Sequence, residues 1–517
     1  LPILANLQAT FRDPRTREFL AWCLPALLVG LALRIALTMH CPYAFFHDDA
    51  PDFLTTPHVL LEEHRFELHG KKTFLVPILF TIPFLVRVPA LIAIPIFQHL
   101  LGLGFILLVG LLCRLWFRFW KIFIVPLTVL TAMNPFYLWF EHTLMAESVF
   151  VFTTALVALA GTLYTLEQSR ARFIFLLVAL FLEAGARPEG KLLFGFGIFL
   201  VVLLHARRWR TDWSRFAIIV AVAVVTNLIT KTSQAGLLLY TSVARLTPQE
   251  LKCAPGFEPY IAPIRADLQA RWEVRPQFPK VNDRRAVAES VGRYLKANPE
   301  QGKSSKHQSV NEFCLKLAME TCRKNFGYLP VHVYHKFRAM ATEAPSGRLD
   351  EDWLFKRQRE AYVDSPRRNL ALARGLTGIQ INDIEGFNRF VDTHYGEVPW
   401  FNTLQDRWLA TVNYGRFPDL QVPNPRWPTV AIYHYGVPYY FLAAAIGLIV
   451  VAFRRGVLQP FHVAWGLTLL AFFYTIMLTA NVRSRFRFVF EPYWFIYLAL
   501  LAECLWLAVS APFRRPR

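Results

Sequence analysis

The chain is short of cysteine and short of acid. Its seven cysteines (Cys23, Cys41, Cys113, Cys253, Cys314, Cys322 and Cys504) are spread over 517 residues with no CxxC and no Cys/His ligand spacing. That spacing speaks against a structural zinc site. Asp and Glu number 37 against 56 Lys and Arg, a net charge of +19. In a soluble protein this balance would suggest nucleic acid. Here much of the Arg excess lies in short loops between apolar runs, where membrane topology places it, so no nucleic-acid partner is expected. No internal repeat and no low-complexity tract is visible, and transporters often carry repeats. The first apolar run follows Arg12, Arg15 and Arg17 and continues to about Leu37 without a small-residue cleavage site. It is read as a retained helix rather than a removed signal.

What the chain has in abundance is apolar sequence: 54% hydrophobic residues and a mean hydropathy of +0.32. About 20 apolar residues cross the hydrocarbon core. Runs of that kind lie at 19–39, 93–116, 121–140, 147–166, 172–187, 190–205, 215–233, 430–452, 460–480 and 488–510. The expectation is an α-helical polytopic membrane protein of about ten transmembrane helices. With the N-terminus inside, the basic loops all become cytoplasmic: Arg114, Arg118 and Lys121; Arg170 and Arg172; Arg207, Arg208, Arg210 and Arg215; Arg454 and Arg455; and the terminal Arg514, Arg515 and Arg517. The stretch 73–92 is apolar but carries Pro77, Pro83, Pro89 and Arg87, so it is read as interfacial or re-entrant. Counting it as a span would turn every later basic loop outward.

Between 234 and 429 the apolar runs stop. This segment is expected to form an extracytoplasmic domain, mixed or mainly helical, between an N-terminal transmembrane module (1–233) and C-terminal helices (430–517). Ser305 to Ala341 reads as helical, interrupted near Gly327 and Pro330. Cys253, Cys314 and Cys322 fall in this domain, and a disulfide among them stays unassigned.

Charge at membrane level is costly and marks function more often than charge elsewhere. In the topology above, several such groups share the outer side. His47, Asp48, Asp49 and Asp52 follow the first span; they suit a general base or a metal ligand, or else a solvated turn. Glu141, His142 and Glu147 lie between the third and fourth spans, with Glu147 placed to favour a helix N-terminus. Glu183, Arg187, Glu189 and Lys191 bracket a Pro188–Gly190 turn; Glu183 and Arg187 are four apart and positioned to pair. Arg483, Arg485 and Arg487 form an outer basic cluster, suited to a fixed anion or to headgroups. Lys71 and Lys72 precede the 73–92 stretch and suit a lipid phosphate or simple snorkelling. Together they suit an anionic lipid substrate, its phosphate held by Arg and Lys while a carboxylate activates an acceptor hydroxyl.

On these residues the chain resembles the GT-C superfamily of membrane glycosyltransferases, and within it the protein O-mannosyltransferases and lipid A aminoarabinose transferases. The matching features are Asp48-Asp49 in the first outer loop, HGKKTFLVP before an amphipathic segment, NPFYLWFEHTLMAESVF, ARPEG, and RSRFRFVFEPYW entering the last span. The resemblance covers roughly 19–233 and 430–510, and the domain at 234–429 has no counterpart in it. It implies a GT-C-like fold and a sugar donor linked to polyprenyl phosphate, with a glycan, lipid or protein as acceptor. Asp48 or Asp49 would be the base, with Asp49 standing where the family often has Glu. Glu147 would be a second carboxylate. Lys72, Arg187, Arg483, Arg485 and Arg487 would hold the donor phosphate, and His47, His142 and Glu189 would line the substrate pocket. A divalent metal (Mg or Mn) on Asp48 and Asp49 is left open. Three other readings compete: a lipid or polysaccharide transporter or flippase, an en bloc oligosaccharyltransferase, and a non-catalytic glycan-binding scaffold.

Overall fold

The structure is a computed structural model that describes residues 13–45, 50–65, 73–206, 209–229, 235–274, 281–301, 306–333, 336, 384–395, 398–408, 442–454, 456–479 and 490–510. Among them it is helical, with one isolated β-bridge, between Phe45 and Thr143. Helix α1 (Pro14–His40) opens where Asp13 accepts the Thr16 amide at 3.0 Å and Pro14 takes the first helical position. α2 (Ala50–Glu63) packs on α3 (Leu75–Leu85). α3 is roughly 16 Å long, about half the hydrocarbon thickness, so on its own it is too short to span. A turn with Arg87 in the left-handed region (φ 57°) separates it from α4 (Ala90–Trp116).

The run at 121–140 folds as two helices, α5 (Trp120–Met133) and α6 (Pro135–Glu141), bent by 50°. The cause is local: Asn134 leaves helical geometry and accepts the Phe136 amide at 3.0 Å, and Pro135 starts the next helix. α7 (Glu147–Leu166) and α8 (Arg170–Ala186) form a hairpin. A 3-10 turn (Pro188–Leu192) leads to α9 (Leu193–His205) and α10 (Trp209–Ile229). Then come α11 (Ala235–Val243), α12 (Glu258–Val274), α13 (Val281–Ala297) and α14 (Lys306–Lys324). The last five are α15 (Ile384–His394), α16 (Pro399–Trp408), α17 (Leu442–Phe453), α18 (Gln459–Thr479) and α19 (Glu491–Ser510).

Among the described residues, five helices are long and apolar enough to cross a membrane, or six if the bent α5–α6 pair is one span. The protein is therefore of the helical membrane class. α7 sits at its centre, with 78% of its apolar window buried against 28% for α1. Threonines on the inner faces stay satisfied by donating to carbonyls one turn back, as Thr131 does to Leu127 and Thr162 to Ala158, both at 2.8 Å. α18 and α19 join the bundle through aromatic packing: Trp116 on Phe461 (5.3 Å between centroids) and on Tyr497 (5.8 Å), Phe196 on Trp465 (4.9 Å).

The two ends of the bundle differ in charge. At one end lie the basic loops. Arg114 sits over Phe19 and Trp120, Lys121 pairs with Glu18, and Arg215 donates to Tyr164 and to the Gln168 carbonyl. Arg454 approaches Glu503 at 3.7 Å, and Glu503 also accepts the Phe119 amide at 2.8 Å. The other end carries the 41–45 segment, the α6–α7 connection, the 187–192 turn and the first turn of α19.

Within 234–429, the described residues pack in two ways. α11 to α14 close a core of their own around Tyr240, Phe257, Tyr294, Phe313 and Leu317. α15 and α16 instead pack into the main core: Tyr43 meets Phe390 (4.7 Å) and His394 (5.0 Å), and the Tyr395 hydroxyl donates to the Ala44 carbonyl at 2.7 Å.

Beside the α11–α14 core, Lys336 is buried and donates to Ser242. Burial, and then the nearby Arg245 charge, push its ammonium down to about 7 from an ordinary value of 10.5. The unfolded chain therefore binds one more proton than the folded one between those two pH values. Stability should rise with pH across that window and lose this dependence below it. Lys336→Met should remove the slope, as denaturation measured from about pH 6 to about pH 10 would show.

Candidate functional site

The rim that carries the candidate residues is tied together by backbone first. The Phe45 amide donates to the His142 carbonyl (2.7 Å), the Leu144 amide to Phe45 (3.0 Å), and the Ala44 amide to Leu91 (2.7 Å). These bonds fix the 41–45 segment, which leads into His47, Asp48 and Asp49. Those three residues, with Lys72, Arg483, Arg485 and Arg487, lie outside the described residues.

Beneath this segment runs a buried polar chain. Arg34 donates to Glu141 at 2.6 Å and to the Gly30 carbonyl at 2.9 Å. His99 Nδ1 lies 2.9 Å from the second Glu141 oxygen, and His99 Nε2 lies 3.0 Å from His142 Nδ1. His142 Nε2 is 3.1 Å from the Tyr43 carbonyl, which can only accept. The bonding therefore assigns a donor hydrogen to His142 Nε2 and leaves its Nδ1 to accept from His99 Nε2. All four side chains are nearly inaccessible. His142, expected from the sequence to line the pocket, has both ring nitrogens engaged. Through the Tyr43 carbonyl it is tied to the 41–45 segment.

Close packing makes the chain possible. Gly102 on α4 faces the Glu141 carboxylate and the Arg34 guanidinium, and a Cβ at that position would run into both. Gly102→Ala should cost about 1–3 kcal/mol by overpacking, read as a lowered Tm of the detergent-solubilised protein. A cavity of about 10 Å³ lies beside Gly102, bounded also by Tyr137, Glu141 and Ser148. It has room for roughly one water molecule. The buried Ser148 hydroxyl lacks a partner among the described residues.

The second cluster joins α7 to the end of α8. Arg187 meets Glu147 at 2.7 Å and Glu189 at 3.2 Å, with its guanidinium 5.5 Å from the centre of the Phe150 ring. The i, i+4 spacing of Glu183 and Arg187 predicts an ion pair between them, and the structure pairs them otherwise. Arg187 caps α8 in an extended conformation (φ −147°, ψ 153°), so its side chain leaves the helical face and crosses to α7. Glu183 stays inside the bundle and accepts from Thr154 (2.7 Å) and Thr153. Glu147 is 1% exposed. One of its oxygens is held by Arg187, and the other is buried without a hydrogen-bond partner among the described residues. Glu189 is more open, its side chain 30% exposed.

The third element is the start of α19. Glu491 accepts from Asn134 at 3.1 Å. Phe490 packs on Phe472 (5.1 Å), Phe472 stacks on Phe150 (6.1 Å), and Phe150 underlies Arg187. Phe45 and Phe490, the residues that flank the Asp48 and Arg485 stretches, thus stand at the same end of the bundle as Glu147, Arg187 and Glu189.

Arg34, His99, Asn134 and Glu491 join the site in addition to the residues singled out from the sequence. Arg34 and His99 carried a usable signal, since each is an ionisable residue inside an apolar run. Asn134 and Glu491 carried little, because their pairing spans 357 residues. Among the described residues no three metal-ligating side chains converge. A scan against protein-family models finds no match to this chain, and a search of curated proteins finds none.

Proposed function

We propose that this chain is an inverting glycosyltransferase. It would move a sugar from a polyprenyl-phosphate donor to an acceptor hydroxyl at the outer membrane face. The observation that carries the reading is the Glu147–Arg187–Glu189 cluster at the rim, on the same end as the flanks of the Asp48 and Arg485 stretches. The reading takes the ten apolar runs as ten spans, with cytoplasmic termini and an extracytoplasmic 234–429 segment. The gathering of basic loops at the opposite end supports that orientation.

In the proposed chemistry, Asp48 or Asp49 removes the proton of the acceptor hydroxyl as its oxygen attacks the anomeric carbon. The bond from that carbon to the phosphate oxygen breaks, and polyprenyl phosphate departs with the electron pair. A single displacement inverts the configuration. Charge grows on the departing phosphate in the transition state, and cations stabilise it there more than in the ground state. Arg187 is preorganised for this role by Glu147, Glu189 and Phe150. Lys72, Arg483, Arg485 and Arg487 are proposed to share it.

The test uses detergent-purified chain and a polyprenyl-phosphate-linked sugar labelled in the prenyl part. The reading expects free polyprenyl phosphate to accumulate when acceptor is present, and Asp48→Asn with Asp49→Asn to stop it. If the donor stays intact but the chain in proteoliposomes moves it between leaflets, the flippase reading replaces this one.

A further inference from the structure

α14 has two apolar faces where a domain helix in water needs one. Phe313, Cys314, Leu317 and Ala318 are buried in the α11–α14 core. On the other side of α14 Leu315 (43%) and Met319 (62%) are exposed, and past its end so are Phe326 (75%), Tyr328 (43%) and Val331 (41%). Leu315 and Met319 are one turn apart on α14, and Phe326, Tyr328 and Val331 follow its end closely in the chain (together, the ridge). Several large exposed apolar side chains this close in sequence mark a contact with another phase or another molecule.

Several observations say which. First, the ridge begins where the chain leaves the spanning helices. The Gly236 and Leu237 amides donate to Asn311 Oδ1 at 3.0 and 3.2 Å, and a Cβ on Gly236 would strike the Asn311 carbonyl and Leu315. Gly236 follows the last residue of α10, Ile229, by only seven positions. The final turns of α10 expose Val224, Val225 and Leu228, an apolar surface continuous in kind with the ridge. Lys191 donates to Asn227 at 3.3 Å, which places this exit at the rim end of the bundle. Second, the far end of the ridge returns to the bundle, because Val333 packs in the main core. Third, Lys316 and Arg323 lie exposed beside the apolar residues and make no ion pair among the described residues. Glu312 is the exposed acid nearby, and Glu320 is engaged with Lys324 and the Lys252 and Cys253 amides.

We propose that the Leu315–Val331 ridge rests on the leaflet at the rim end. Its apolar side chains enter the headgroup–acyl boundary, and Lys316 and Arg323 meet lipid phosphates. An apolar face flanked by cations is the composition of a helix lying in that interface. The inference rests on the membrane-spanning class of the bundle and not on sugar transfer. Such a contact would hold the α11–α14 domain at a set height over the rim.

The test places an encoded environment-sensitive fluorophore at Met319, at Phe326, or at Lys296 on α13, an exposed polar control. Each full-length variant is put into nanodiscs of ordinary lipid or of lipid brominated near the headgroup. Quenching of about twofold or more is expected at 319 and 326, with none at 296, if the ridge sits at the boundary. Two positions keep the test decisive if one variant fails to fold. Unquenched signals at both ridge positions, or equal quenching at all three, would overturn the proposal. So would ridge fluorescence that changes only when two copies share a disc, which would assign the ridge to a second copy. Loss of sugar-transfer activity would leave the quenching pattern unaffected, so the two readings fail separately.

Discussion

Glu141→Ala should destabilise the protein by about 3–5 kcal/mol, the usual cost of removing one partner of a buried ion pair. Glu141 is 2% exposed and binds Arg34 through one oxygen and His99 through the other. Its removal leaves the Arg34 guanidinium, 3% exposed, with only the Gly30 carbonyl as partner among the described residues. It also frees the His99–His142 pair that holds the Tyr43 carbonyl. Two companions separate charge from shape. Glu141→Gln keeps the outline and part of the bonding, so it should cost less. Adding Arg34→Met to Glu141→Ala removes the orphaned charge and should recover part of the loss. Denaturation in detergent, followed by near-ultraviolet signals of rim aromatics such as Trp139 on α6, which stacks on Phe45 at 5.0 Å, checks all three. A loss under about 1 kcal/mol for Glu141→Ala would show that the network is not what holds the rim.

Arg187→Ala should lower kcat for donor breakdown by about 10²–10³-fold, as expected when a preorganised transition-state cation is removed. The effect should fall mainly on kcat, because in the proposed reaction the phosphate charge that Arg187 would meet grows as the sugar departs. Arg187→Lys keeps the charge but not the planar fork, and should retain an intermediate rate. Structural loss is the competing explanation, since Glu147 would be left buried without its cation. Glu147→Gln with Arg187→Ala addresses it: stability should return while turnover stays low. Unchanged kcat in Arg187→Ala would remove Arg187 from the proposed chemistry.

The apolar runs were legible as helices, since nine of the ten coincide with described helices, but only five of those, or six with the bent α5–α6 pair, are long and apolar enough to cross a membrane. The tenth, at 430–452, is described from Leu442 onward, as α17. The break at Asn134-Pro135 was legible in principle, since a cap residue followed by proline ends one helix and starts another. Less legible were pairings that depend on how a helix ends. Glu183 and Arg187 have ideal spacing for an ion pair, yet one extended residue at the α8 terminus redirects Arg187 to Glu147. The rim was legible as charge near span ends, but its interior was not. Arg34 and His99 sit in the middle of apolar runs, and only the packing of α1, α4 and α6 shows that they meet one carboxylate. The docking of α15 and the following Tyr395 on Tyr43 and Ala44 was also hidden, because it joins residues some 350 apart in sequence.

In the proposed function the acids and guanidiniums of the rim serve a single phosphate. A polyprenyl phosphate with a photoreactive group next to its phosphate tests it directly. The probe is irradiated with the full chain in nanodiscs and the labelled peptides are identified. The account predicts labels on the stretches carrying Phe45, Glu147 and Arg187, competed away by unlabelled polyprenyl phosphate. Competable labels confined to the opposite end, around Arg454 and Glu503, would contradict it.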